Sequence, residues 1–297
     1  MKHIILILLF FSIASSFAAG NTGLSFLKIG VGARATAMGE AYTAAANDAT
    51  SLFWNPAGSA WSGSRRAHFT HNEWIQGITN EVANISLPAF RGSFGIGLML
   101  NSVSGIERRT FATEEPLGDI SAHDFSILLN YSRMIGQNLS VGFNAKFIDE
   151  KIYIESARGF AVDFGARYQV LTPGLFLGAA LQNLGTTTSL VEEKIALPTT
   201  MRFGAAYMLP FKMLNGTWLF ATDFVQVLNE DSHINFGSEF SPFSLLRLRI
   251  GYQTGYKEKG LSAGFGLALN RFQFDYAYVP FSSDLGSSQR LSLTAQF

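Results

Sequence analysis

The chain has 297 residues, and its 22 lysines and arginines are balanced by 22 aspartates and glutamates, so no net basic charge argues for nucleic acid. The absence of cysteine excludes a lipid-anchored N-terminal cysteine, disulfides and thiolate metal sites. Only 15% of residues are charged, against 47% hydrophobic, 27 Phe, 29 Gly and a mean hydropathy of +0.18, which is more apolar surface than one soluble core requires.

The chain opens with Lys2 and an apolar run from Ile4 to Phe11, followed by Ser16-Phe17-Ala18. This is the layout of a secretory signal peptide cleaved after Ala18, and the run is too short for a spanning helix. Residues 19–64 differ from all that follow. Arg34 to Asn47 is alanine-rich, with Ala35, Met38 and Tyr42 at helical spacing, and reads as a short helix; Asn55-Pro56-Ala57-Gly58 reads as a turn. The segment is too small to fold alone, so it is expected as a hatch, or plug, inside the structure that follows. The organisation expected is a signal peptide at 1–18, a hatch at 19–64 and a β-barrel at 65–297.

From Ala67 onward large apolar residues alternate with small or polar ones, as in Leu139, Val141, Phe143, Ala145 and Phe147 against Ser140, Gly142, Asn144 and Lys146. Period two marks strands with one apolar and one polar face. Candidate strands lie at 66–74, 78–88, 92–101, 122–134, 138–150, 159–170, 174–184, 199–209, 216–227, 232–240, 245–254, 260–269, 271–279 and 288–297. No apolar run reaches the ~18 residues of a membrane helix. The apolar excess must therefore sit on every second strand residue, which predicts an antiparallel transmembrane barrel of about fourteen strands. The even-numbered connections are short, whereas 102–121 and 185–198 are long and odd-numbered, which predicts periplasmic termini and outer long loops. Charges avoid a lipid face, so Lys146, Asp163, Arg167, Arg247 and Arg249 are expected in the lumen. Trp74, Trp218, Tyr252, Tyr256 and Tyr278 are candidates for the aromatic girdles.

Chemical motifs are sparse. Gly30-Val-Gly-Ala-Arg-Ala35 fits a dinucleotide-binding spacing but lacks the parallel βαβ unit that spacing requires. His68 and His71 fall on opposite strand faces, and His71 with Glu73 gives only two ligands. His123 and Asp124 are adjacent and also face apart. No catalytic constellation forms, so a non-enzymatic protein without cofactor or metal is expected.

Two stretches carry a family resemblance. Gly30-Val-Gly-Ala-Arg-Ala-Thr-Ala-Met-Gly39, followed by Asn47-Asp-Ala-Thr-Ser-Leu-Phe-Trp-Asn-Pro-Ala-Gly58, resembles the N-terminal signature of the PorV/PorQ family. That family lies within the superfamily of FadL-type outer-membrane barrels. The residues carrying the match are Gly32, Arg34, Met38, Gly39, Asn55, Pro56, Ala57 and Gly58. The resemblance implies a hatch plugging a fourteen-stranded barrel in the outer membrane. In PorV-type members it implies protein contacts in type IX secretion or surface assembly; in FadL-type members it implies uptake of hydrophobic small molecules such as fatty acids. The first is the expectation and the second the alternative, although modest outer loops argue against carrying cargo. The ending, with Leu291, Leu293 and Phe297, resembles the signal read by the barrel assembly machinery. Expected partners are outer-membrane lipid, that machinery, and type IX components or a hydrophobic solute. A transporter needs an apolar pocket beside the plug and a lateral gap or inward kink; an interaction protein can have a sealed wall and a filled lumen.

Overall fold

The structure, a computed structural model, describes residues 23–109, 116–153, 155–190, 193–194 and 196–297. The expected signal peptide lies outside the described residues. The strands are β1 (Arg66–Glu73), β2 (Ile78–Ala89), β3 (Gly92–Glu107), β4 (Asp119–Ile135), β5 (Leu139–Ile152), β6 (Glu155–Gln169), β7 (Leu175–Thr187), β8 (Ser189–Leu190), β9 (Glu193–Lys194), β10 (Thr200–Met208), β11 (Thr217–Val227), β12 (Ser232–Phe243), β13 (Leu246–Gln253), β14 (Leu261–Leu269), β15 (Phe272–Pro280) and β16 (Ser287–Gln296). All but β8 and β9 join one closed antiparallel barrel of fourteen strands, sealed by pairing β1 with β16; β8 and β9 form a separate small hairpin between β7 and β10.

The alternation sorts side chains as the sequence predicts. Phe143 and Phe164 sit opposite each other across β5 and β6 and are exposed, while their neighbours Asn144 and Asp163 are buried. Phe203, Phe236, Ile250, Phe274 and Leu291 also face outward; Asn130, Asp223, Asn235, Asp275 and Ser292 face inward. An apolar exterior around a polar interior is the arrangement a lipid environment demands. On β5 and β6 the apolar belt ends at the Phe147–Phe160 ring contact; the next outward pair is Asp149–Arg158, bridged at 3.1 Å.

We call the end carrying the barrel's first and last residues the near end and the other the far end. The far-end connections are shorter than the sequence predicts. β3 runs on to Glu107 and β4 begins at Asp119, while β8 and β9 occupy part of the second connection. β3 to β6 reach 14–17 residues, against 8–10 for β13 to β16. Two girdle assignments also need correction. Trp74 lies under the Arg290 guanidinium, and Tyr256 stacks on His233 with centroids 3.9 Å apart. β1 and β13 end one and three residues before them, so the strand alternation no longer fixes their direction and the interior cations do. Tyr252 and Tyr278 do face outward, and Trp218 stacks with the outward Phe220.

The N-terminal segment fills the barrel interior. It consists of 3₁₀ turns at Ser25–Lys28 and Pro56–Trp61 and short α-helices at Ala33–Ala37 and Ser51–Trp54. The expected helix over 34–47 stops after Ala37 because Gly39 and Glu40 adopt φ values of 62° and 61°. Beyond them the backbone N–H groups of Tyr42 and Thr43 donate to the Asp223 carboxylate on β11, at 3.0 and 2.9 Å, instead of to a helical carbonyl. The expected turn at 55–58 is the start of a 3₁₀ helix, capped by Asn55, whose Oδ1 accepts from the Ala57 N–H at 3.1 Å.

Glycines explain how an irregular backbone can lie so close to the wall. Gly142 pairs with Gly165, Gly178 with Gly204, and Gly237 with Gly251. Each pair forms a notch on the inner face. Pro56 enters the first, Thr43 the second, and Met38–Gly39 the third. A Cβ on Gly178 would lie 2.6 Å from the Thr43 carbonyl oxygen, which no side chain can accept without moving the plug.

Candidate functional site

At the near end Arg34 joins the plug to the wall. Its Nε and Nη2 donate to the two carboxylate oxygens of Glu239 on β12, at 2.8 and 2.9 Å, and its Nη1 donates to Tyr42 Oη at 2.9 Å. Arg249 shares Glu239 at 2.6 Å and reaches Asp275 at 2.7 Å. Tyr42 Oη donates to Asp48 at 2.5 Å. Burial would raise the Asp48 carboxyl, but Arg34 and the hydroxyls of Tyr42 and Thr50 outweigh it and hold it at about 2. Burial and the neighbouring Asp48 push the Tyr42 phenol well up, despite the opposing pull of Arg34.

The remaining motif residues are structural joints. Gly32 takes φ 83° before the Ala33–Ala37 helix, Met38 and Gly39 occupy the third notch, and the Ala57 carbonyl accepts from Ser140 Oγ at 3.0 Å. A Cβ on Gly58 would lie 2.5 Å from the Ala46 carbonyl oxygen. Asn55 Nδ2 donates to Thr43 O within the plug at 2.9 Å and to Ala166 O on β6 at 3.0 Å. Lys146 meets Asp163 at 2.8 Å beside a bulge in the β6–β7 ladder, where the Asn183 N–H also donates to Asp163. Arg167 donates to Ala44 O at 2.7 Å and lies against the Trp61 and Phe176 rings. Arg247 sits at the near-end mouth, bonded to Gln273 at 3.0 Å. Leu291 and Leu293 face outward on β16, and the Phe297 N–H donates to Arg65 O at the near end.

The plug divides the lumen. Toward the near end lies a polar cavity of about 610 Å³ and toward the far end one of about 570 Å³; a residual void beside the plug measures only about 40 Å³. The far-end vestibule is amphipathic. Leu24, Leu27, Ile29, Val103, Val225 and Val227 line it together with the acids Glu40, Asp124, Glu150 and Glu230 and the bases Lys28, Arg202 and Lys259. Arg202 lies 4.8 Å from the Trp54 ring centroid and 3.9 Å from Asp223. Lys259 lies 3.7 Å from Glu40 and 4.4 Å from the Tyr256 ring centroid. Arg290 is buried behind Trp74 and donates to Thr36 Oγ1. Burial raises the Glu40 carboxyl, but Lys259, Arg290 and Arg202 together bring it below its ordinary value. Burial depresses the Lys259 ammonium beyond what Glu40 restores, and Arg290 and Arg202 depress it further. Nε and Nη1 of Arg202 and Nε and Nη2 of Arg290 are buried without an acceptor. Sequence reasoning missed this cluster. Arg202 and Arg290 are legible as polar residues alternating with Met201, Phe203 and Leu291; Glu40 and Lys259 lie outside strands and carry no such signal.

The model of an uncharacterised protein family, UPF0164, matches residues 13–293. The chain belongs to this family. No curated protein sequence matches that of this UPF0164 member. Its fold is shared with solved barrels. TodX, described as a monoaromatic hydrocarbon channel (deltaS2 mutant), superposes with a TM-score of 0.63 at 11% identity, covering 90% of this chain and 97% of that one. CymD, also described as a monoaromatic hydrocarbon channel, gives 0.59 at 14% identity with 93% and 99% coverage. A FadL homologue from Pseudomonas aeruginosa gives 0.56 at 13% identity with 95% and 99% coverage. At these identities the likeness defines the shared transmembrane barrel fold of the UPF0164 member.

Proposed function

We propose that this protein is a non-enzymatic outer-membrane channel admitting small amphipathic acids, with the N-terminal segment as its hatch. The near end, where β1 begins and β16 ends, faces the periplasm, and the far-end vestibule faces outward. The expectation of two periplasmic termini is corrected at the N-terminal side, because the first described residues, Gly23 and Leu24, line the far-end vestibule. The observation that carries this reading is the pair of unsatisfied guanidinium donors on Arg202, which lines the far-end cavity together with apolar residues, with Arg290 buried behind Trp74 at its edge. Buried donors without acceptors are costly, and an organic carboxylate supplies oxygens in the geometry that guanidinium groups prefer. The apolar residues of the vestibule would take the tail. The FadL-type fold supports the same reading by analogy.

A second reading keeps the protein as a PorV/PorQ-type component of type IX secretion, working through protein contacts. What favours it is the continuous fourteen-stranded ladder and the void of only about 40 Å³ beside the plug, as expected of a closed wall around a tightly seated hatch. Uptake of a small fluorescent amphipathic carboxylate by cells carrying wild type or Arg202→Met separates the two. Under the channel reading Arg202→Met lowers uptake severalfold with surface display of secreted proteins unchanged. Unchanged uptake together with lost surface display on gene deletion would establish the second reading instead.

A further inference from the structure

Among the described residues the exposed charges of one sign gather at only one of the two rims of the barrel. At the near-end rim Arg65, Arg91, Arg133, Lys212 and Arg271 are all exposed, and none makes an ion pair with another described residue. No aspartate or glutamate lies in the near-end connections 90–91, 136–138, 170–174, 209–216, 244–245 or 270–271, all of which are described. The far end is mixed: Glu73, Glu107, Glu155, Asp231 and Asp284 are exposed there, and so are Arg108, Arg109, Lys151, Arg158 and Lys257. Near-end cations also come with apolar neighbours. Phe90 precedes Arg91, Phe211 precedes Lys212, Phe272 follows Arg271, and Ile135 lies on the same outward face of β4 as Arg133; all four apolar residues are exposed.

We infer that the near-end rim is a docking surface for the anionic headgroups of glycerophospholipids in the leaflet bordering it. Three features select this occupant. The cations are unpaired, so binding a phosphate displaces no internal carboxylate. All but Arg65 have an apolar side chain beside them that can enter the acyl boundary while the charge stays at headgroup level, as interfacial anchors do. The cations also lie on opposite sides of the barrel, at the start of β1, the β2–β3 turn and the end of β4, and again at the β10–β11 and β14–β15 connections. A leaflet surrounds a barrel and meets such a ring everywhere at once, whereas a protein partner would meet one side. The far rim, where exposed acids and bases are interspersed, presents no comparable cationic ring, so headgroup binding is confined to the near end. The inference does not depend on what the channel carries.

The test is native mass spectrometry of the refolded full chain from micelles containing phosphatidylglycerol or phosphatidylcholine. Wild type should retain phosphatidylglycerol preferentially, with a preference that falls as salt is raised. The triple variant Arg91→Gln/Arg133→Gln/Arg271→Gln should lose that preference, on the order of severalfold per charge removed. The far-end variant Lys151→Gln/Lys257→Gln should keep it. A heat-modifiable gel shift verifies that each variant is a folded barrel, and the single variant Arg91→Gln gives a smaller loss in the same direction if the triple variant fails to fold. Equal retention of both lipids by wild type, or equal losses from the two ends, overturns the inference. So does rim-dependent binding of an acidic peptide without any lipid preference, which would assign the ring to a protein.

Discussion

Arg34 is the side chain on which plug and wall most depend. It is largely buried, and it holds Glu239 with two hydrogen bonds while neutralising Asp48. Replacing it by Met leaves Glu239 with Arg249 alone and Asp48 without its cation. Breaking such a buried pair costs about 3–5 kcal/mol, so Arg34→Met should lower the urea midpoint of the refolded barrel and expose the 33–62 segment to protease. Acid acts on the same lock. The Asp48 carboxyl sits at about 2 against an ordinary 3.8, so its stabilisation is fully present above about pH 4 and lost as the pH falls through about 2. Protection of the plug against protease should hold at pH 5 and fail only near pH 2; failure at pH 5 would mean another group controls it. Lys146 behaves similarly: its ammonium is the cation on the fully buried Asp163, and Lys146→Met should cost about 3–5 kcal/mol. Alternation alone puts Lys146, Asp163 and Arg167 in the lumen. It is silent on their partners, because those arise from a ladder irregularity at Asn183 and from plug carbonyls remote in sequence.

Elements were legible to the extent that lipid imposed a pattern on them. Inside the apolar belt each strand must alternate, and there the strand positions read from sequence agree closely with those observed. Past the belt Asp149, Lys151 and Arg158 face outward on β5 and β6, the apolar signal vanishes, and strand continues where a loop was expected. The plug failed differently. Ala35, Met38 and Tyr42 have helical spacing, but Asp223 offers the backbone a better acceptor than the next helical turn. The wall faces give a direct contrast. Phe143→Arg or Phe164→Arg places a charge in the lipid at about 2–4 kcal/mol near the midplane, and should abolish the heat-modifiable folded band. Gly178→Val adds no charge but drives a side chain into Thr43; the barrel should still form while the plug becomes protease-sensitive.

At the scale of the molecule, closure was legible from an even strand count and the recurrence of one pattern, while the far-end cluster of Glu40, Arg202, Lys259 and Arg290 was not, since it assembles from plug, strands and a loop. The glycine notches carry a consequence for chronology. Ala33–Ala37 packs on β13 to β16, with the Ala33 N–H donating to Ser292 on β16, while Pro56–Trp61 packs on β3 to β6. The plug thus grips early and late strands on either side of the β1–β16 seam. A segment wedged this tightly, with wall glycines touching its backbone, has no route in once the seam is sealed. The plug, made before the strands that enclose it, must therefore wait within the nascent sheet, and the cylinder is drawn shut around it like a mould closing on its core.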